Sequence, residues 1–162
     1  MHETIERIRK LVRSGKTKKA SVLATRLTSD YASEPRAWRE RAFVKTMQGH
    51  HAASISDMSK AIALNEFRLL DDIFSRGVSS FKLGRYKRAV TDFSRTIALG
   101  ELFQVKSHRT QAHFFRAECY VRLKKFRQAR LDCGKVPAEY QTWTYGLRSK
   151  RDVLADCGQL PK

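Results

Sequence analysis

Three cysteines, a few histidines and one lysine-rich glycine turn are the residues with which chemistry could begin in this chain. Cys119, Cys133 and Cys157 are odd in number and far apart, so they lack metal-ligand spacing and predict buried thiols in a reducing compartment. His50 and His51 adjoin a glycine turn, where His51 takes a packing position. His113, near Glu118 and Cys119 in the sequence, has no supporting nucleophile arrangement. GKTKK at Gly15 resembles the end of a phosphate loop, but no strand and no first glycine precede it. These residues predict a protein that is not an enzyme and that takes no metal, cofactor or small-molecule substrate.

What the chain has in excess is positive charge. Lys and Arg number 33 against 16 Asp and Glu, for a net charge of +17 spread through the chain rather than held in a tail. Such an excess predicts an acidic protein, a nucleic acid or an anionic surface as partner. The content of hydrophobic residues, 41%, is that of an ordinary folded domain. No apolar run approaches the ~18 residues needed to span a membrane. MHETIERIRKLVRSGKTKK lacks the apolar core of a secretory signal, which predicts a cytoplasmic protein.

The elements that position these residues follow from internal self-similarity. Arg76–Leu99, RGVSSFKLGRYKRAVTDFSRTIAL, repeats Arg41–Leu64, RAFVKTMQGHHAASISDMSKAIAL, 35 residues later. Arg116–Val136 is a further copy after 40 residues, and Arg7–Leu27 a degenerate one 34 residues before the second. Counted from Met1, Pro35, Leu70 and Thr110, position eight is Ile8, Ala42, Gly77 and Ala117, and position twenty is Ala20, Ser54, Ala89 and Ala129. The turn position holds Gly15, Gly49, Gly84 and Lys124, where glycine suits a left-handed residue closing a helix. Position seven is always arginine (Arg7, Arg41, Arg76, Arg116), and position 23 is Leu23, then Asp57, Asp92 and Asp132. The spacing predicts bidentate Arg–Asp pairs in three copies and a leftover Arg7 in the first. The six extra residues near 100–109 predict a lengthened first helix in the last copy, starting near Leu102.

This period and helix-turn-helix content resembles the tetratricopeptide repeat, to which Trp38 adds the early tryptophan of that pattern. The resemblance implies an all-α, right-handed superhelical solenoid of four helix pairs. The repeats fall at about 1–34, 35–69, 70–104 and 105–138 of a single domain over 1–162. A capping helix is expected over about 140–157, with Trp143, Leu147 and Leu154 on one face and Gly158 as the stop. The resemblance also places a binding groove along the first helix of each pair. Its residues here are Arg9, Arg13, Arg36, Arg39, Phe43, Met47, Phe74, Phe81, Lys82, Phe114 and Arg122. Aromatic anchors beside arginines fit a protein partner, although the phenylalanines could instead pack between repeats or beneath the cap. A second candidate is a basic edge along the turns: Lys16, Lys18, Lys19, Arg85, Lys87, Arg88, Lys124, Lys125 and Arg127.

The groove positions also test one known use of such repeats. A lysine/asparagine/arginine clamp for chaperone C-termini would sit at positions five and nine. Ile5 and Arg9, Arg39 and Phe43, Phe74 and Val78, Phe114 and Glu118 do not form it. The expected function is therefore a non-catalytic module that binds an acidic protein surface or peptide. VPAEYQTWTYGLRSKRDVLADC is similar to the tail of bacterial members encoded beside secreted toxins, which implies an immunity or antitoxin-like protein covering a toxin domain. The alternative is an RNA- or DNA-binding repeat protein that uses its basic edge.

Overall fold

Each repeat closes its first helix in the same way, and that turn sets the architecture. Gly15, Gly49 and Gly84 take φ of 71°, 75° and 70°. In each turn one amide reaches back to the third carbonyl before it, and the next amide to the fifth. Examples are Gly15 N to Val12 O and Lys16 N to Leu11 O, or Gly84 N to Phe81 O and Arg85 N to Ser80 O. This is the Schellman arrangement. Lys124 adopts the same turn at φ 56°, with the same pair of bonds, and so carries a side chain in left-handed conformation.

The computed structural model describes residues 1–64 and 69–158. Residues 65–68, at the end of the second repeat, and 159–162 lie outside the described residues. The helices are α1 (His2–Arg13), α2 (Thr17–Asp30), α3 (Pro35–Met47), α4 (His51–Leu64), α5 (Leu69–Lys82), α6 (Tyr86–Leu102), α7 (Lys106–Arg122), α8 (Phe126–Cys133) and α9 (Lys150–Asp156). One antiparallel hairpin, β1 (Gln141–Trp143) and β2 (Leu147–Ser149), precedes α9. Among the described residues the fold is thus a helical repeat with a small hairpin near its end. No helix among them is long and apolar enough to cross a membrane.

The chain divides into two compact units, Met1–Asp72 and Ile73–Lys162, where the sequence leads one to expect a single domain. In the first, Ile5, Ile8, Val12, Ala20, Ala24, Leu27, Ala37 and Val44 form the core. Ile8, large where the other copies are small, is fully buried in it, among alanines. In the second unit Phe81, Phe93, Ala112 and Phe115 make one cluster, and Phe114, Ala129, Cys133 and Val153 another. Position eight shows why small residues recur. A Cβ on Gly77 would stand 2.8 Å from the Phe93 ring and 3.2 Å from Asp92 Cβ.

Two expectations are corrected. The extra residues near 100–109 do not lengthen the first helix alone. They extend α6 to Leu102 and begin α7 at Lys106, with a tight turn at Gln104, φ 56°. The tail is not one helix over 140–157 either. Thr and aromatic residues favour extended backbone, Gly146 sits in the turn with its carbonyl accepting from Thr144 N, and the helix starts only at Lys150. Ser149 starts it, its hydroxyl accepting from Asp152 N while the Asp152 carboxylate accepts from Ser149 N, a capping box. Trp143 and Leu147 therefore face each other across the hairpin, both exposed, while Leu154 packs on the core of α7 and α8.

Candidate functional site

The scaffold beneath any surface is clamped by the repeated ion pairs. Arg41 donates from Nε and Nη2 to Asp57 at 2.8 and 2.7 Å, Arg76 to Asp92 at 3.0 and 2.7 Å, and Arg116 to Asp132 at 2.8 and 2.7 Å. All three aspartates are buried. Burial works against the charge of Asp132, but hydrogen bonds from Arg116 and His113 outweigh it and hold the carboxyl below its usual range. His113 Nδ1 lies 2.8 Å from Asp132 and is absorbed by this clamp. In the first repeat Leu23 stands in the aspartate's place and Arg7 is exposed. It lines a cleft of about 370 Å³ with Glu3, Arg26, Asp30 and Tyr31.

The groove positions of unit 1 form two parallel stripes. On α3, Arg36, Glu40, Phe43 and Met47 are three or four residues apart and share one face. On α1, His2, Arg9 and Arg13, seven and four residues apart, also share one face. Arg9 Nε donates to Glu40 at 3.2 Å, and Arg36 Nη2 approaches His2 Nδ1 at 3.4 Å, which sets the stripes side by side. Phe43 and Met47 are 38% and 55% exposed, and Arg13 is exposed with them. Arg9 and Arg39, expected as anchors for a partner, are engaged inside the chain. Arg9 serves the buried Glu40, and Arg39 donates to the buried Asp72 at 2.6 and 3.0 Å. Glu40 and Asp72, which decide this, were missed by sequence reasoning. Their signal was an acid about one repeat (31 and 33 residues) beyond each arginine.

Unit 2 treats its expected groove residues differently. Phe81 and Phe114 are fully buried, so neither offers a surface to a partner. Phe81 packs on Phe115, Tyr86 and Tyr145, and Phe114 on Phe115 and Tyr140. Phe74 is half-buried against Phe93, Phe115 and His108. Lys82 places its ammonium over the Tyr145 ring, and burial lowers its pKa. Of the groove residues here, Arg122 alone is fully exposed. The hairpin adds to this cover. Tyr145 donates its hydroxyl to Phe81 O at 2.6 Å, and Arg148 donates from Nε to Glu118 Oε1 at 2.8 Å. Nothing in the sequence pointed to Tyr145 or Arg148.

The basic edge is solvated throughout. Lys16, Lys18, Lys19, Arg85, Lys87, Arg88, Lys124, Lys125 and Arg127 are all exposed, each beside or just past one of the Schellman turns. Cys119, Cys133 and Cys157 are buried free thiols. Burial raises Cys133 to about 11, which keeps it protonated and unreactive. Among the described residues no group of three His, Cys, Asp or Glu is placed to hold a metal ion.

No family model matches the chain, and no curated protein does. Solved structures match its fold. A kinesin-light-chain-like protein of Podosopora anserina with nearly identical TPR-like repeats superposes with a TM-score of 0.73 at 13% identity, over 83% of this chain and 72% of that one. The MamA RS-1 ArsTM double mutant gives 0.72 at 12% identity, over 83% and 71%. MamA protein gives 0.63 at 17% identity, over 82% and 72%. The chain therefore has a tetratricopeptide-like helical repeat fold.

Proposed function

We propose that this chain is a non-catalytic protein-binding module whose contact face is the open stripe of unit 1. The observation that carries it is the exposed pair Phe43 and Met47, one helical turn apart on α3, flanked by Arg13 and Arg36. Apolar anchors ringed by arginines are the composition of protein hot spots. The net charge of +17 favours an acidic partner surface and speeds encounter with it. The similarity of the closing segment to immunity-type tails supports a sharper form, in which the partner is a toxin domain with an acidic contact surface. Buried thiols suit a cytoplasmic setting.

A second function is favoured by unit 2, where Phe81 and Phe114 are covered while Arg85, Lys87, Arg88, Lys124, Lys125 and Arg127 stay exposed. An edge of that kind suits a phosphate backbone. Affinity capture from the source cells, with and without nuclease and at two salt concentrations, separates the two. The protein-binding function predicts one acidic protein that survives both treatments and is lost with Phe43→Ala/Met47→Ala. Loss of all capture on nuclease treatment overturns it in favour of nucleic acid.

A further inference from the structure

In unit 2 the hairpin meets Glu118 and Lys82, at repeat positions nine and thirteen, which unit 1 fills with the exposed Phe43 and Met47. Tyr145 sits on the end of α5, its ring 5.0 Å from that of Phe81 and its hydroxyl on the Phe81 carbonyl. Tyr140 packs on Phe114 with ring centroids 5.2 Å apart, and Arg148 reaches Glu118, one turn further along α7. The chain thus lays a hairpin, with Tyr145 in its turn, along two neighbouring helices, as a bound peptide would lie.

The fit of that segment is incomplete at its charged end. Glu118 is wholly buried, yet only Oε1 is satisfied; Oε2 has no hydrogen-bond partner. The guanidinium that serves it is shared, since Arg148 Nε goes to Glu118 and Nη2 to Asp156. A carboxylate of this kind is made for the two-pronged fork of one arginine, and leaving half of a buried charge unpaired is costly. The segment is also weakly built. Its strands are three residues each, a two-stranded ribbon of that size has little stability of its own, and its outer face leaves Trp143 and Leu147 in solvent.

We propose that residues 140–149 are an internal, displaceable ligand, and that the face of α5 and α7 beneath them is a binding site for a partner hairpin that carries an aromatic residue in its turn, three positions before an arginine. The aromatic takes the place of Tyr145 on Phe81, and the arginine gives both prongs to Glu118. Lys82, over the Tyr145 ring, adds a cation–π contact that any aromatic in this place inherits. This site lies wholly within unit 2 and does not depend on the open face of unit 1.

The probe is a fluorescein-labelled peptide of residues 140–149, read by anisotropy against the full chain. In Tyr145→Ala/Arg148→Ala, which loosens the internal copy, the peptide is expected to bind about tenfold or more tighter than to the wild type. Adding Glu118→Gln is expected to remove the gain, and a peptide with alanine at the two key positions is expected not to bind. A double variant with intact helical circular dichroism that binds no better than wild type overturns the proposal. Hydrogen exchange on the wild-type chain tests it without any variant. The amides of Thr144 and Lys150, which bond within the hairpin region, are expected to exchange about a hundredfold faster than those in the middle of α7. Equal protection makes the hairpin a permanent part of the core and overturns the proposal.

Discussion

Unit 1 and unit 2 carry the same clamp and opposite surfaces. Arg41–Asp57 in the first and Arg76–Asp92 in the second have nearly the same geometry, and the small residues Ala42 and Gly77 hold the same place. Above that frame, Phe43 and Met47 meet solvent while Phe81 and Phe114 do not. Part of the difference lies in the repeats, because Phe81 and Phe114 stand at positions twelve and five and are buried in clusters with Phe93, Phe115, Ala117 and Cys133, while Phe43 and Met47 stand at nine and thirteen. The rest comes from ten residues near the end of the chain, which lay Tyr145 on Phe81 and Tyr140 on Phe114. A groove residue in a repeat protein is defined by its register; whether it is a surface depends on what the rest of the chain does.

The largest expected effect tests that contrast through stability. Phe114→Ala should cost about 3–5 kcal/mol, as for a buried ring, while Phe43→Ala should stay within about 1 kcal/mol. Urea unfolding followed by circular dichroism measures both, and similar losses would erase the contrast. The shared frame should respond alike in the two units. Asp57→Ala and Asp92→Ala should each cost about 3–5 kcal/mol, because each strands a partly buried guanidinium. A variant that keeps full stability would show that its pair is not a clamp.

A smaller effect concerns the hairpin alone. Burial and the neighbouring Tyr86 push the Tyr145 hydroxyl up to about 12, with Arg122 opposing. A phenol whose pKa is raised on docking contributes fully below its free value of about 10 and loses that contribution as pH climbs from there toward 12. The hairpin should therefore undock in that window, seen as a change in Trp143 fluorescence. Tyr145→Phe should remove this step, and unit 1 should show no counterpart. The smallest effect compares the turns themselves. Lys124→Gly should stabilise unit 2 by about 1 kcal/mol, since it relieves a left-handed non-glycine residue. Gly15→Ala and Gly49→Ala, with open space around the missing Cβ, should destabilise by a similar amount from backbone conformation alone.

What was legible in the sequence was local and repeated. A left-handed turn needs glycine, a close helix crossing needs a small residue, and an Arg and an Asp 16 residues apart meet across one helix pair. Each constraint acts within about 20 residues and recurs, so comparison of copies exposes it. The site was less legible because its exposure is set from far away. Tyr145 covers Phe81 across 64 residues, and Arg148 reaches Glu118 across 30. The tail misled for a geometric reason as well. Residues four apart lie on one face in a helix and can also face each other across a hairpin with a three-residue turn, as Trp143 and Leu147 do. The alternation of threonine and aromatic residues in TWTY, just before Gly146, was the cue for a hairpin. Arg9 and Arg39 looked available because a count of bases does not show which acids they face.

The most direct test of the contrast between the two faces is oxidative footprinting of the native chain, read residue by residue by mass spectrometry. Phe43 and Met47 should be labelled about tenfold or more faster than Phe81 and Phe114, whose access requires local opening. Comparable labelling of the four residues would contradict the account and make both faces, or neither, available to a partner.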